Sequence, residues 1–205
     1  MIKSVIRKSV PKRGIEVICG SMFSGKTKLL IKKIKHFQDN NCNVKVFKPA
    51  IDIRYGNEKI VSHDKSEIFA MPIKKSGDII TESKSCDIIA IDEAQFFDKD
   101  IIEVCKNLSE KKLVIIAGLD MDYLGNGFGP MPRLIKIANQ TTKLHATCDM
   151  CGGKACYTYR KSTDDNKILL GEKDNYLALC KKCFNKNMKK VAQELVPMGS
   201  AEIII

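Results

Sequence analysis

Gly20-Ser21-Met22-Phe23-Ser24-Gly25-Lys26-Thr27 is a complete G-x-x-x-x-G-K-[ST] stretch, and it constrains the fold more than any other feature of the chain. Residues 15–19 before it form a short, β-branched apolar run that reads as a buried strand. Residues 28–37 after it read as a helix, with Leu29, Leu30, Ile31, Ile34 and Phe37 apolar. A glycine-rich turn between such a strand and helix wraps phosphate groups in backbone N–H donors at the positive end of the helix dipole. Gly20 and Gly25 allow backbone geometry that a Cβ would obstruct. Lys26 is placed to reach β- and γ-phosphates, and Thr27 to offer its hydroxyl to Mg²⁺. The sequence therefore predicts a nucleoside triphosphate site.

The 205 residues, 44% of them hydrophobic, suffice for one ordinary domain with a small appendage. No apolar run approaches membrane-spanning length. The basic start Met1-Ile2-Lys3-Ser4-Val5-Ile6-Arg7 lacks the long apolar core and small-residue cleavage site of a secretion signal, so a cytoplasmic enzyme is expected. A net charge of +11 would on its own suggest nucleic acid as a partner. Yet only five of the 35 basic residues are Arg, and the lysines are scattered along helices and loops. Neither a polynucleotide nor a membrane is therefore expected as partner. Nine cysteines in a chain so well supplied with apolar residues do not require a disulfide scaffold. Cys19, Cys42, Cys86 and Cys105 fall singly and read as ordinary reduced thiols.

Up to about residue 140, strand-like runs at 15–19, 44–48, 87–91 and 113–118 alternate with helix-like segments at 26–38, 98–108 and 131–139. This pattern predicts an α/β fold, a parallel sheet flanked by helices, with the active site at the carboxyl ends of the strands. From His145 the character changes to paired cysteines, hairpins and loops, with no helix until Lys181. The division expected is a nucleotide-binding domain at 1–144, a small zinc-binding C-terminal lobe at 145–190, and a tail at 191–205 that carries no legible chemical signal.

The third strand runs into Asp92-Glu93-Ala94-Gln95-Phe96-Phe97. Asp92, at the end of an apolar strand downstream of a phosphate loop, is placed to hold Mg²⁺. Glu93 is the expected general base, taking a proton from whatever attacks the γ-phosphoryl group; the Asp-Glu pair alone does not say whether that is water or a substrate hydroxyl. If this segment is extended, only one of Phe96 and Phe97 can face a pocket. Cys148-x-x-Cys151 and Cys180-x-x-Cys183, with 28 residues between them, have the spacing of two knuckles presenting four thiolates to one tetrahedral Zn²⁺. A fully thiolate-bound zinc has no open position, so it braces the lobe without entering the chemistry. Cys156 is left over as a packed cysteine.

Together these residues resemble the type II thymidine kinases over roughly residues 14–188. The resemblance rests on Met22-Phe23-Ser24 inside the phosphate loop and on the segment Lys48-Pro49-Ala50-Ile51-Asp52-Ile53-Arg54-Tyr55, with Ser62-His63-Asp64 following. It rests also on the acidic motif 92–97, on Gly118-Leu119-Asp120-Met121-Asp122-Tyr123, on Phe128-Gly129-Pro130-Met131-Pro132, and on Gly171…Tyr176 before the second cysteine pair. Departures are Lys28-Leu29, Gly127 and Phe184, at positions where many relatives carry acids, proline and histidine.

The resemblance implies a P-loop, RecA-like sheet and transfer of the ATP γ-phosphoryl group to the 5′-hydroxyl of thymidine, with deoxyuridine as a second acceptor. Carried over by position, Glu93 is the catalytic base. ATP is bound by residues 20–27 (Gly20, Ser21, Met22, Phe23, Ser24, Gly25, Lys26, Thr27) and by Asp92, Glu93, Ala94 and Gln95. Arg54 serves the phosphates and Asp52 lies beside it. Met22, Leu119 and Thr158 line the thymine methyl, and Phe96, Tyr123 and Phe128 supply aromatic walls. A loop at about 163–176, with Leu169 and Tyr176, closes over the nucleoside, and Arg160 sits toward the phosphates. Cofactors implied are ATP, Mg²⁺ and a structural Zn²⁺ on Cys148, Cys151, Cys180 and Cys183; the assembly implied is a homotetramer. The competing expectation is a zinc-ribbon ATPase acting on DNA. Against it stand the small size of the chain and the lack of an array of Arg and aromatic residues for single strands.

Overall fold

The computed structural model describes residues 12–53, 56, 58–62, 65–161 and 175–194. Arg54, Leu169, most of the 163–176 loop and the tail beyond 194 lie outside them. The chain opens with β1 (Gly14–Gly20), α1 (Lys26–Asp39) and β2 (Val44–Pro49). A hairpin of β3 (Lys59–Val61) and β4 (Glu67–Phe69) follows, then β5 (Met71–Ile73) and α2 (Asp78–Glu82). Next come β6 (Ile88–Ile91), a 3-10 turn (Ala94–Phe96), α3 (Ile101–Ser109), β7 (Leu113–Gly118), α4 (Met131–Ile137) and β8 (Gln140–Leu144). The cysteine-rich end holds β9 (Ala146–Thr147), β10 (Lys154–Ala155), β11 (Tyr157–Arg160), β12 (Tyr176–Leu179) and α5 (Lys181–Glu194).

Six strands form one sheet in the order β5-β2-β6-β7-β1-β8, and every pairing in it is parallel. The central strands are apolar on both faces because helices cover both. Alternation divides their side chains cleanly. Ile15, Val17, Ile89, Ile91, Val114 and Ile116 pack with Ile101, Ile102, Cys105, Met131 and Leu134 of α3 and α4. Ile18, Ile88, Ala90, Ile115 and Ala117 pack with Leu30, Ile31 and Ile34 of α1 on the other face. This is the helix-flanked parallel sheet that the sequence predicts.

The differences from the sequence reading are local. The helix expected at 98–108 begins at Ile101, because Asp98 accepts the backbone N–H groups of Ser76 and Asp100 and so closes a turn of its own. The helix expected at 131–139 ends at Ile137, because Asn139 instead pairs with Ile15 through both its backbone N–H and its side-chain oxygen. Two sheet strands were not anticipated. β8 reads as polar Gln-Thr-Thr-Lys because it is an exposed edge, and β5 contains Pro72, which an edge strand tolerates. Cys19, Cys42, Cys86 and Cys105 are all buried and reduced, and burial pushes the Cys105 thiol up to about 12. No helix among the described residues is long and apolar enough to cross a membrane.

Candidate active site

The site gathers where β1, β6 and β7 end. Gly20 closes β1 with φ +144, and a Cβ there would lie 2.2 Å from the Leu144 carbonyl oxygen, so the chain can turn into the phosphate loop only with glycine at this point. Within the loop, Ser24 Oγ and Lys26 Nζ both donate to the Ser21 carbonyl, each at 2.8 Å. Thr27, in the first turn of α1, donates its hydroxyl to Asp92 Oδ2 at 3.1 Å. Two hard oxygen donors from the loop and from the end of β6 therefore meet, and this donor set suits Mg²⁺.

Glu93 follows Asp92 in the left-handed region, φ 51 and ψ 42, an uncommon conformation for a glutamate. The turn sends the next residues into a single 3-10 coil rather than an extended segment. Ala94 and Phe97 consequently enter the core, while Phe96 stays half-buried and meets Phe128 edge-on with ring centroids 5.5 Å apart. Gln95, 3% exposed, donates from Nε2 to Glu93 Oε2 at 2.5 Å and accepts the Leu119 backbone N–H at 2.9 Å. Its side chain thus faces the acidic residue and the loop after β7.

The cysteine-rich end reaches the same place. The backbone N–H of Met22 donates to Thr158 Oγ1 on β11 at 3.0 Å, joining two residues 136 positions apart. Phe23, left-handed at φ 62, packs against a small core of Cys148, Ala155, Ala178, Leu179 and Phe184. The Arg160 guanidinium carbon lies 3.8 Å from the centroid of the Tyr123 ring, a cation–π contact, and Arg160 pairs in register with buried Tyr176 on β12. Asp52 is buried beyond β2, and its backbone N–H bonds to the Pro49 carbonyl.

Cys148, Cys151, Cys180 and Cys183 place their sulfurs within 4.8 Å of one another, with Cys151 and Cys180 at 3.6 Å. Tetrahedral zinc with bonds of about 2.3 Å needs sulfurs roughly 3.8 Å apart, so the set fits that metal. The first knuckle is closed by Cys148 N–H to the Gly153 carbonyl at 2.7 Å and Gly152 N–H to the Cys148 carbonyl at 2.9 Å. Burial opposes ionisation of Cys148, but nearby backbone N–H donors outweigh it and bring the thiol down to about 6. Cys183 goes the other way: hydrogen bonding to Cys180 pushes it up to about 12. Four crowded sulfurs resist ionising together, and a bound dication is what lets all four act as thiolates.

Three supports were given no role by the sequence reading. Lys48, 1% exposed, donates from Nζ to the carbonyls of Gly56 at 2.7 Å and Lys59 at 3.0 Å, fixing the chain beyond β2. A lysine closing a buried apolar strand was the available signal, since such a charge must find partners. Lys143 on β8 pairs with Asp120 at 2.7 Å, and that hydrogen bond raises the lysine's pKa. Asp149, inside the first knuckle, accepts the Ala178 N–H at 2.6 Å and returns its own N–H to the Ala178 carbonyl at 2.9 Å.

Comparison with known proteins agrees with this geometry. Residues 13–184 match the sequence model of the family described as thymidine kinase. The thymidine kinase of Bacteroides thetaiotaomicron is 49% identical over 175 residues, 84% of this chain and 88% of that protein. Those of Porphyromonas gingivalis and a Rhodothermus species are 45% and 43% identical, covering 87% and 83% of this chain and 88% and 80% of theirs. A phosphate loop, an acidic strand end and a four-cysteine lobe in one chain, matched over this length and at this identity, place it: the chain belongs to the thymidine kinase family.

Proposed function

We propose that this chain transfers the γ-phosphoryl group of ATP to the 5′-hydroxyl of thymidine, and of deoxyuridine, to give the 5′-monophosphate in nucleotide salvage for DNA synthesis. The observation that carries the reading is the family match across residues 13–184. In this reading residues 1–144 bind the nucleotide, 145–190 form the zinc lobe with its covering loop, and 191–205 are a tail. The phosphate-loop N–H groups and Lys26 bind the triphosphate. Thr27 and Asp92 are the residues that would hold Mg²⁺, which when bound neutralises charge on the phosphates. Glu93 takes the proton of the 5′-hydroxyl as its oxygen bonds to the γ-phosphorus and the bond to the ADP leaving group breaks.

Met22, Leu119 and Thr158 surround the thymine methyl, Phe96, Tyr123 and Phe128 wall the nucleoside, and Asp52, Arg54, Leu169 and Tyr176 complete its surroundings. Closure of the 163–176 loop excludes water, which competes with the hydroxyl for the phosphoryl group. The zinc on the four cysteines braces both ends of that loop. The working protein is a cytoplasmic homotetramer. The test is ATP-dependent phosphorylation across a nucleoside panel, with single-stranded DNA added separately. Conversion of thymidine and deoxyuridine, with purine nucleosides and deoxycytidine left untouched, is the expected result. ATP hydrolysis stimulated by DNA without nucleoside turnover would overturn the proposal.

A further inference from the structure

A buried glutamine must find partners for both ends of its carboxamide, and Gln95 finds them on opposite sides of the site. The Leu119 backbone N–H can only donate, so the end facing it at 2.9 Å is the oxygen. That choice turns the NH₂ group toward Glu93 Oε2, 2.5 Å away. Room for this side chain is left by Gly118 at the end of β7, where a Cβ would stand 2.9 Å from Gln95 Oε1. Glu93 is meanwhile held in the left-handed conformation by the turn that buries Ala94 and Gln95. The acidic turn, the end of β7 and the 119–129 loop therefore converge on one side chain.

We propose that Gln95 is a positioning residue for the general base. It holds one carboxylate oxygen of Glu93, so that the other is presented to the substrate hydroxyl, and it ties that carboxylate to the loop whose Leu119 borders the nucleoside. The inference rests on Glu93 being the base, as read above. Gln95 donates to one oxygen of that carboxylate, the group that must accept the hydroxyl proton. The same hydrogen bond removes the rotational freedom of a side chain whose reactive oxygen must sit within about 3 Å of the hydroxyl.

Two substitutions separate this role from mere support of the Leu119 loop. Gln95→Glu keeps an oxygen for the Leu119 N–H but replaces the donor beside Glu93 with a second carboxylate. Gln95→Met matches the side chain in length and makes neither bond. Both variants are measured for kcat, thymidine KM and ADP binding, and Gln95→Glu for its pH profile as well. The expected loss in kcat is on the order of 100-fold in each, the scale of misplacing a catalytic group by about 1 Å. Because the carboxamide is taken up by Glu93 and Leu119 rather than by nucleotide, ADP binding stays within a few-fold of the parent, and thymidine KM does so in Gln95→Glu but rises in Gln95→Met, which frees the Leu119 N–H. In Gln95→Glu two adjacent carboxylates share a proton, so the acid limb of the profile moves to higher pH.

Rescue by Gln95→Glu, with near-parental kcat and an unmoved limb, overturns the proposal and leaves Gln95 a loop support. Equal losses of ADP binding and kcat in Gln95→Met overturn it too. Glu93→Gln keeps the two failures apart. If that variant turns over normally, the base assignment itself is wrong. If it is inactive while Gln95→Glu is rescued, only the positioning role fails.

Discussion

Thr158 presents a hydroxyl and a methyl group, and the two have separable jobs. The hydroxyl accepts the Met22 N–H at 3.0 Å, and Thr158 is 4% exposed. Thr158→Val keeps the branched shape and removes the acceptor. Water has little access to replace it, so the Met22 N–H is left unpaired at a cost of about 1–3 kcal/mol. Because about 1.4 kcal/mol corresponds to a factor of ten, the contact between phosphate loop and lobe should weaken by roughly 5- to 150-fold. Thr158→Ser makes the opposite change: it keeps the hydroxyl and deletes the methyl. The assay is steady-state kinetics with ATP and thymidine varied independently, alongside thermal melting. If the hydroxyl anchors the loop, Val raises the KM for both substrates and lowers the melting temperature, while Ser keeps the parental melting temperature and ATP KM and raises the thymidine KM alone. If Thr158 serves only as an apolar wall for the thymine methyl, Val is tolerated and Ser raises the thymidine KM alone. The second pattern would refute the anchoring argument.

Two further outcomes follow from the same contacts. Cys148→Ser should lose stoichiometric zinc, measured by elemental analysis, together with protease resistance of residues 145–161 and 175–189; full zinc content and activity would remove the bracing role. Gly20→Ala should destabilise the fold by about 2–6 kcal/mol in denaturant melts, the sum of ~1–3 for overpacking against the Leu144 carbonyl and ~1–3 for a side chain at φ +144; an unchanged midpoint would show that the loop can shift cheaply.

The sequence showed most where structure is forced by periodicity or by a rigid motif. The strands β6 and β7 are legible because burial on both faces demands continuous apolar runs, and β1 and β2 because their β-branched and apolar residues outweigh Glu16 in one and Lys45 and Lys48 in the other. β5 and β8 are not, because an edge strand needs neither apolar residues nor all its N–H groups; what defines β8 is its parallel pairing with β1, which no local pattern records. The same division holds in the site. Lys26, Thr27 and Asp92 are legible from their motif, and the structure brings Thr27 and Asp92 together. What Gln95 does is not legible, since its direction depends on a left-handed residue two positions earlier and on a loop twenty-four residues away. Phe96 and Phe97 show the limit of periodic reasoning: alternation allowed one of them a pocket, but a 3-10 turn rather than a strand decided that Phe97 enters the core.

The separation between phosphate loop and cysteine lobe drawn along the sequence is bridged by hydrogen bonds at either end of one cross-strand pair. Asp149, between the first two cysteines, exchanges two of them with Ala178 on β12. Ala178 stands opposite Thr158 in the antiparallel β11–β12 pair, and Thr158 accepts from Met22 in the phosphate loop. Beside this pair Phe23 leaves the loop to pack into the lobe's own core, in a backbone conformation that costs a phenylalanine about 1–3 kcal/mol. A strained residue persists only where its surroundings over-determine it, and here those surroundings are the side chains that the four cysteines hold together. The four-cysteine cluster and the phosphate loop are therefore joined through β11, β12 and Phe23, and a variant that loses the cluster is expected to release Phe23 and Met22 as well.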